Sequence, residues 1–399
     1  MDQIVVSHSL MNILFILKYH QIGGIEIVSR QLANIFAEKG HNVAILSLDE
    51  NGTLTQPPLN ECIKFYNGFG FSVSAQNVNL LRNILINDSI DVVINQWGLP
   101  YQSTVLFKKA SKGLKRIKYI SAYHNDPTTN GRTKLIEEQL LSSKNGCSRL
   151  ALRLKLLVTK FVTGLSMNYV YRNSDHYLLL SESFVEGFKR YAFNDGRKVV
   201  VCPNPLTIDF PTEISLSEKK KEILYVGRME LNQKRVDRVL EIWKDLYERH
   251  PQWKLTLVGD GVDREKLEAS AKIMKLKNFS FEGFQNPKKY YKNAQFLLLT
   301  SDYEGFGLVL IEAMAYGVIP IGLGSYHAIY DIIDNGKNGF VTKLPFDKKD
   351  FITVIEKLIM DDCYKNEIAK AAIGKSRTYS DKSIYEYWFP ILREYSAED

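Results

Sequence analysis

Residues 295–315 read Gln-Phe-Leu-Leu-Leu-Thr-Ser-Asp-Tyr-Glu-Gly-Phe-Gly-Leu-Val-Leu-Ile-Glu-Ala-Met-Ala. Gln295–Leu299 is an apolar run of strand length, and a strand buried on both faces reads as such a run. Gly305 and Gly307 interrupt it, and the apolar stretch that follows reads as a helix. The same strand–turn–helix unit recurs on both sides. Glu222–Val226, Lys254–Val258, Asn278–Phe281 and Val318–Ile321 read as further strands, with a helix over Lys234–Arg249. From about Lys348 the chain reads helical to the end. Nearer the start, Asn12–Lys18 is a strand, followed by Gly23-Gly24 and an amphipathic helix over Ile25–Lys39 that Gly40 stops. Asn42–Leu48, Asp91–Asn95, Ile117–Tyr123, His176–Leu180 and Lys198–Cys202 continue the strands. Pro203-Asn204-Pro205 breaks the alternation. This order predicts an α/β protein with two doubly wound, Rossmann-like parallel sheets. The expected division is residues 1–205, residues 206–380, and a C-terminal helical segment over 381–399. Ligands of such sheets sit outside the carboxyl ends of the strands, so a cleft between the two sheets is the expected site.

The chain has 399 residues, 45% hydrophobic and 24% charged, which excludes disordered, collagenous and low-complexity classes. No apolar run approaches the roughly 18 residues of a spanning helix. Ile13–Leu17 is too short for a leader's apolar core. Cys62, Cys147, Cys202 and Cys363 are widely spaced with no CxxC pair, which argues against a structural zinc site and fits a reducing compartment. A cytoplasmic location is therefore expected. Met1–Leu10 has no role that the sequence assigns, and Met11 is an alternative start whose use an intact mass would test.

The formal net charge of +7 is unevenly placed. Residues 101–200 hold 18 Lys and Arg against 7 Asp and Glu, a surplus of +11, so the remainder sums to −4. A regional surplus points to one anionic partner, or else to a solvated basic face. Arg149, Arg153, Lys155 and Lys160 alternate with apolar residues. On a helix this stretch, about 149–172, could lie on an anionic bilayer surface or could be an ordinary packed helix with a basic rim.

Several residues carry chemistry. Glu304 and Glu312 flank the glycine turn. The first amides of the helix there are unpaired donors suited to an anion such as phosphate. Were the whole stretch helical, the two carboxylates would stand roughly 12 Å apart along the axis, the order of span that a diphosphate between two sugars needs. The same pair would also suit a surface helix whose acids cap it or form ion pairs. Gly227-Arg228 follows a strand, and Lys234 comes six residues later. Such cations could neutralise a diphosphate or simply be solvated. Gly259-Asp260-Gly261 ends the next strand, and Gly283-Phe284 another. Phe284 could line a base pocket, although alone it reads better as a core aromatic. His124, in Tyr-His-Asn-Asp-Pro after a strand, is either structural or faces the site. Asp126 could orient it or cap the next segment. No Asp-x-Asp occurs, so a carboxylate-held metal is not indicated.

Taken in order, Gly23-Gly24, Gly227-Arg228, Lys234, Gly259-Asp260-Gly261, Gly283, Glu304-x7-Glu312 and Asn338-Gly339-Phe340 closely resemble glycosyltransferase family 4, over essentially the whole chain. The resemblance implies the GT-B fold, two Rossmann-like domains facing a cleft, with the aromatic C-terminal helix around Tyr385–Arg393 crossing back to the first domain. It implies a retaining transferase of the bacterial surface-polysaccharide type. The donor is a nucleotide-sugar, UDP-linked by default with GDP open, and the acceptor a glycan or lipid-linked molecule held by the first domain. It implies catalytic roles for His124, Arg228, Lys234 and Glu304. Arg228 and Lys234 would stabilise the leaving diphosphate, Glu304 would hold hydroxyls of the transferred sugar, and His124 would face that sugar. Gly23, Gly24, Gly227, Gly259, Gly283, Phe284, Phe306, Gly307, Leu308 and Glu312 would bind the nucleotide-sugar, Glu312 through the ribose. No cofactor or metal is implied beyond the donor, and no nucleic-acid partner. A peripheral place on the inner membrane face would suit a lipid-linked acceptor. One departure is Arg235, where the family usually has glycine, which adds a cation near the phosphate site. The rival readings are a nucleotide-sugar epimerase of the same fold and a nucleic-acid-binding protein drawn by the basic region. Neither accounts for the acid pair and the glycine turn together with an acceptor site.

Overall fold

The computed structural model describes residues 10–20, 23–49, 57–129 and 131–393. Residues 1–9 of the segment before the alternative start lie outside that description. The chain folds as two compact units. One runs to Thr207 and takes in the segment from Asp381, and the other is Ile208–Ser380.

The first unit holds strands β1 (Asn12–Tyr19), β2 (Asn42–Asp49), β3 (Lys64–Asn67), β4 (Val92–Asn95), β5 (Lys118–Tyr123), β6 (His176–Leu179) and β7 (Val199–Val201). Its helices are α1 (Gly24–Glu38), α2 (Ala75–Asn87), α3 (Tyr101–Ala110), α4 (Gly131–Ser142), α5 (Gly146–Arg172) and α6 (Val185–Tyr191). The sheet order is β3-β2-β1-β4-β5-β6-β7, with every pairing parallel. β1, β2 and β4 are buried along almost their whole length, which is why they read as unbroken apolar runs. One core lies under α2 and α3, where Phe107 stacks on Tyr119 with ring centroids 4.3 Å apart.

The second unit holds β8 (Glu222–Val226), β9 (Lys254–Val258), β10 (Phe279–Gly283), β11 (Phe296–Leu299), β12 (Ile319–Leu323) and β13 (Phe340–Thr342). Its helices are α7 (Val236–Arg249), α8 (Arg264–Ile273), α9 (Lys288–Asn293), α10 (Leu308–Ala315), α11 (Ile329–Ile332), α12 (Lys348–Met360) and α13 (Asp362–Ser376). The sheet order is β10-β9-β8-β11-β12-β13, again wholly parallel. α7 buries Val236, Val239, Leu240, Trp243 and Leu246, an i, i+3, i+4 stripe that seats it on the sheet. Trp253 stacks on Phe296 beneath, with centroids 5.2 Å apart.

The last helix, α14 (Asp381–Arg393), belongs to the first unit and packs on α1. Trp388 meets Phe36 edge-on at 5.4 Å, the Tyr385 hydroxyl lies 2.9 Å from His41 Nε2, and the Gln31 amide donates to Asp381 at 2.9 Å. An aromatic stripe on a terminal helix is thereby removed from water.

In both sheets the strand order reverses direction once, at β1/β4 and at β8/β11. In open α/β sheets the crevice at such a switch point, beyond the strand carboxyl ends, is where ligands bind. The loops after these four strands are therefore the candidate ligand-binding segments of the two units.

Candidate functional site

In the second unit, Gly227 and Arg228 leave β8 at the switch point, and residues 300–307 leave β11 beside them. The two loops are tied together. The Asp302 amide donates to the Gln233 carbonyl at 2.8 Å, and the Gln233 side-chain amide donates to the Tyr303 carbonyl at 3.1 Å. Arg228 in turn donates to Gln233 Oε1 at 2.7 Å. Gln233 thus braces Arg228 against the neighbouring loop, a role that sequence reasoning missed because a lone glutamine in a turn carries no pattern.

Lys234 Nζ lies 2.6 Å from Glu304 Oε1, and the Ser301 hydroxyl donates to the same oxygen at 2.6 Å. The two charged side chains are only 16% and 9% exposed, so the pair is held largely out of water. Glu304 is not on a helix. Gly307 takes φ +91° and α10 starts only at Leu308, so Glu304 stands in the loop and Glu312 in the second turn of the helix. The stretch between the two acids is therefore helical only from Leu308 onward, so the wholly helical case does not apply. A Cβ at position 307 would come within 2.5 Å of the Tyr326 hydroxyl, and only glycine tolerates both that approach and that φ cheaply. The Tyr326 hydroxyl is buried and makes no hydrogen bond among the described residues. Burial, with Glu304 nearby, pushes its ionisation well above the usual phenol value, so it is a neutral donor. Glu312 is buried and accepts from the Tyr291 hydroxyl at 3.0 Å, which fixes one of its oxygens. Phe306 turns inward and meets Tyr379 edge-on at 5.7 Å. Its ring is core, which leaves the backbone of 306–308 as the part of that segment able to meet a ligand.

The glycine turns after β8, β9 and β10 form one backbone seam. Gly227 N donates to Val258 O at 3.0 Å, Met229 N to Asp260 O at 2.9 Å, and Gly259 N to Gly283 O at 2.8 Å. A Cβ on Gly259 would lie 1.9 Å from the Gly227 carbonyl oxygen, at φ +136°. That close approach is what these glycines are for. Phe284, beyond the seam, is 63% exposed, so the alternative of a core aromatic is excluded and its ring is open to a partner.

Arg235 does not add a cation to this cluster. It sits at φ +49°, just ahead of α7, and donates to Asp237 at 2.8 Å and to Asp302 at 3.2 Å. These carboxylates, Asp237 foremost, hold its guanidinium above the ordinary value. Arg238 joins the network through Asp302 at 2.6 Å. The left-handed backbone explains why glycine suits the position, and why α7 begins two residues later than expected.

In the first unit, the loop after β1 carries Gly23, which ends in extended backbone (φ −158°) and accepts from the Ile27 amide at 3.1 Å; Gly24 opens α1. A Cβ on Gly23 would meet Glu26 Oε2 at 2.4 Å. Glu26 was not singled out by sequence. It is 3% exposed, its Oε1 has no hydrogen-bond partner among the described residues, and burial pushes its carboxyl up to about 7. After β4 and β5 come Gln96 and His124. His124 Nε2 lies 2.6 Å from Gln96 Oε1, both side chains buried. Gln96 Oε1 can only accept, so Nε2–H is the donor, and among the described residues Nδ1 makes no hydrogen bond of good geometry, with the Asn204 side chain nearby. Burial pushes the His124 imidazole down to about 4, with Asn204 pulling the other way, so the ring is neutral near pH 7. Asp126 serves the turn, accepting from the Thr128 amide at 2.8 Å and from its hydroxyl.

Two parallel, doubly wound α/β units, each with polar side chains gathered at its switch point, are the architecture of the two-domain GT-B class. The model for "Glycosyltransferase Family 4" matches residues 22–210, and that for "Glycosyl transferases group 1" matches residues 209–375. The chain belongs to glycosyltransferase family 4 and is a glycosyltransferase. It is similar, at 24% identity over 389 residues, to an uncharacterised glycosyltransferase of Haemophilus influenzae, covering 95% of this chain and 98% of that one. It is 28% identical over 213 residues to the lipopolysaccharide 1,6-galactosyltransferase of Salmonella typhimurium, covering 51% of this chain and 57% of that enzyme. That alignment spans little more than half of the galactosyltransferase. Among solved structures, the Anabaena protein HepE in complex with UDP and glucose matches with a TM-score of 0.72 at 16% identity, over 97% of this chain and 100% of that one.

Proposed function

We propose that this glycosyltransferase moves a hexose from a UDP-sugar to a glycan or lipid-linked acceptor of a cell-surface polysaccharide or lipopolysaccharide, with retention at the anomeric carbon and without a bound metal ion. The observation that carries the reading is the Lys234–Glu304–Ser301 cluster beside the left-handed Gly307 turn that opens α10. Unpaired amides at the start of that helix suit a phosphate oxygen. Lys234 and Arg228 supply positive charge as the sugar–phosphate bond breaks and the diphosphate departs. Preorganised charge of this kind is commonly the largest catalytic contribution. Glu304, oriented by Ser301, accepts from hydroxyls of the transferred sugar. Glu312, oriented by Tyr291, accepts from the ribose. The seam of Gly227, Gly259 and Gly283 lets backbone approach the nucleotide, and Phe284 offers a ring face to the base. In the first unit the neutral His124 offers Nδ1 as an acceptor for a sugar hydroxyl. The names of the relatives support the substrate class. One acts in lipopolysaccharide synthesis and a neighbour of the same fold was solved with UDP and glucose. Retention is proposed through front-face substitution, in which the departing phosphate takes the acceptor hydroxyl's proton.

The test is nucleoside-diphosphate release from a panel of UDP- and GDP-sugars, with and without a membrane lipid extract, with Glu304→Ala as control. Release from one UDP-sugar that needs lipid and is lost in the variant is the expected result. No turnover and no binding of any donor would sink the reading. Conversion of the donor to its epimer without release would transfer the assignment to the epimerase reading.

A further inference from the structure

α5 is 27 residues long, yet none of its first eighteen residues is buried; its buried residues start at Gly164. Seven apolar side chains of the helix stand more than two-fifths exposed, with Leu150 at 70%, Leu157 at 64% and Phe161 at 54%. They are not scattered. At 3.6 residues per turn, Leu150, Leu154, Leu157, Val158, Phe161 and Val162 fall within an arc of about 140°. Arg149, Arg153 and Lys160 lie along one border of that arc and Lys155 along the other. α5 contains no Asp or Glu. Lys160 pairs with Glu137 on the adjacent α4 at 2.9 Å, and α4 also exposes Leu135 and Leu141, the latter at 87%. The two helices thus form a hairpin with an apolar rim and cationic shoulders.

An isolated exposed leucine needs no explanation, but a continuous stripe of this size marks a surface that something covers. The geometry points to an anionic lipid bilayer as the occupant, with α5 lying in the plane of the interface. Apolar side chains would sink below the headgroups while Arg149, Arg153 and Lys155 reach lipid phosphates along their own stems. No described helix is long and apolar enough to cross a membrane, so the contact would be peripheral. A second copy of the chain fits less well. Two such helices meeting about a two-fold axis would set cation against cation, with no acid on either helix to relieve them. A nucleic acid would satisfy the cations but leave the apolar arc in contact with phosphate and water. The structure therefore changes what the sequence offered for this segment: the apolar stripe carries the contact and the cations select the lipid charge. The inference does not depend on the donor reading, because it concerns a surface distinct from the residues discussed above.

The test is co-sedimentation of the full chain with vesicles of phosphatidylcholine, with and without phosphatidylglycerol. The expected result is binding to the anionic vesicles only. Leu150→Gln/Leu154→Gln/Leu157→Gln, with every cation intact, should abolish it. Arg149→Glu/Arg153→Glu/Lys155→Glu should reduce partitioning by roughly fivefold or more per charge removed. All six positions are exposed, so the melting temperature and UDP binding of both variants should match the parent, which keeps folding and donor chemistry apart from docking. If neither vesicle binds, or if the glutamine variant binds undiminished, the proposal fails. A dimer in light scattering that the glutamine variant dissociates would also overturn it, and would give the stripe to a second copy.

Discussion

Lys234 Nζ and Glu304 Oε1 stand 2.6 Å apart at the carboxyl ends of neighbouring strands, seventy residues apart in sequence. The cation that would meet a departing phosphate and the carboxylate that would hold the sugar neutralise each other before any ligand arrives. The pairing sets one charge against the other in a site that is nearly closed to water, where an unpaired charge is costly. Lys234→Ala is expected to lower turnover by ~10²–10³. It should also lower stability by about 1–3 kcal/mol, since Glu304 is left with Ser301 alone. Adding Glu304→Ala should restore the melting temperature but not the activity. Thermal melts and diphosphate release on the four proteins of that cycle check this, and a double variant as unstable as Lys234→Ala would contradict it.

Tyr326 gives a prediction of the opposite kind. Its buried hydroxyl makes no hydrogen bond among the described residues and lies against the Gly307 turn. Removing a buried donor that bonds to nothing should not weaken the fold, and removes a desolvation cost. Tyr326→Phe is expected to melt at or slightly above the parent temperature while binding the UDP-sugar about five- to tenfold more weakly, the loss of about one hydrogen bond. Calorimetric titration with the UDP-sugar and a melt in parallel decide it. Unchanged affinity would remove Tyr326 from the donor site.

His124 and Glu26, two buried groups of the first unit, should shape stability against pH with opposite signs. His124 has its folded value depressed from 6.5 to about 4, so between those values the unfolded chain binds the extra proton and stability falls as pH falls. The full span amounts to about 3 kcal/mol. His124→Gln should therefore gain on the parent progressively below pH 6.5, with no pH-dependent difference above it. Denaturant melts from pH 7.5 to 4.5 measure this.

Glu26 has its folded value raised from 4.5 to about 7, so the folded chain holds the extra proton and stability falls as pH rises between those values. Glu26→Gln should gain on the parent as pH rises from 4.5 to 7, by up to about 3 kcal/mol, and the gain should level off above that. A gain that appears instead on acidification would show that Glu26 is paired in solution.

Two glycines separate backbone necessity from backbone slack. Gly259→Ala sets a methyl carbon 1.9 Å from the Gly227 carbonyl oxygen at a left-handed φ. It should destabilise by roughly 2–4 kcal/mol, within the range for strain at a special backbone position. Gly374, inside α13, has nothing within 4 Å of such a methyl. Gly374→Ala should stabilise by about 0.5–1 kcal/mol. Melting temperatures of the two variants check both signs.

The strands that were plain in the sequence are those buried on both faces. Glu222–Val226 and Lys254–Val258 were placed to the residue, because a central parallel strand must be apolar throughout. The missed strands are edge or near-edge pieces. Lys64–Asn67 is four residues with no buried side chain, and Phe340–Thr342 has three residues. Neither is long enough to show a period, and each is a strand only because a neighbour already offers a row of backbone partners.

For the site, sequence determined which residue types are present and at what spacing: the glycines that must take positive φ, the acids on either side of Gly307, and the cations after β8. Local chemistry is encoded locally, so these could be read one turn at a time. Tertiary structure alone decided which of them meet. It set Lys234 on Glu304, gave Arg235 to Asp237 and Asp302, turned Phe306 inward and Phe284 outward, and brought Gln233, Tyr326, Gln96 and Glu26 into view. Each of those outcomes depends on a partner brought close by sheet pairing across tens of residues, and burial, hydrogen bonding and the resulting shifts of ionisation exist only once that pairing has formed.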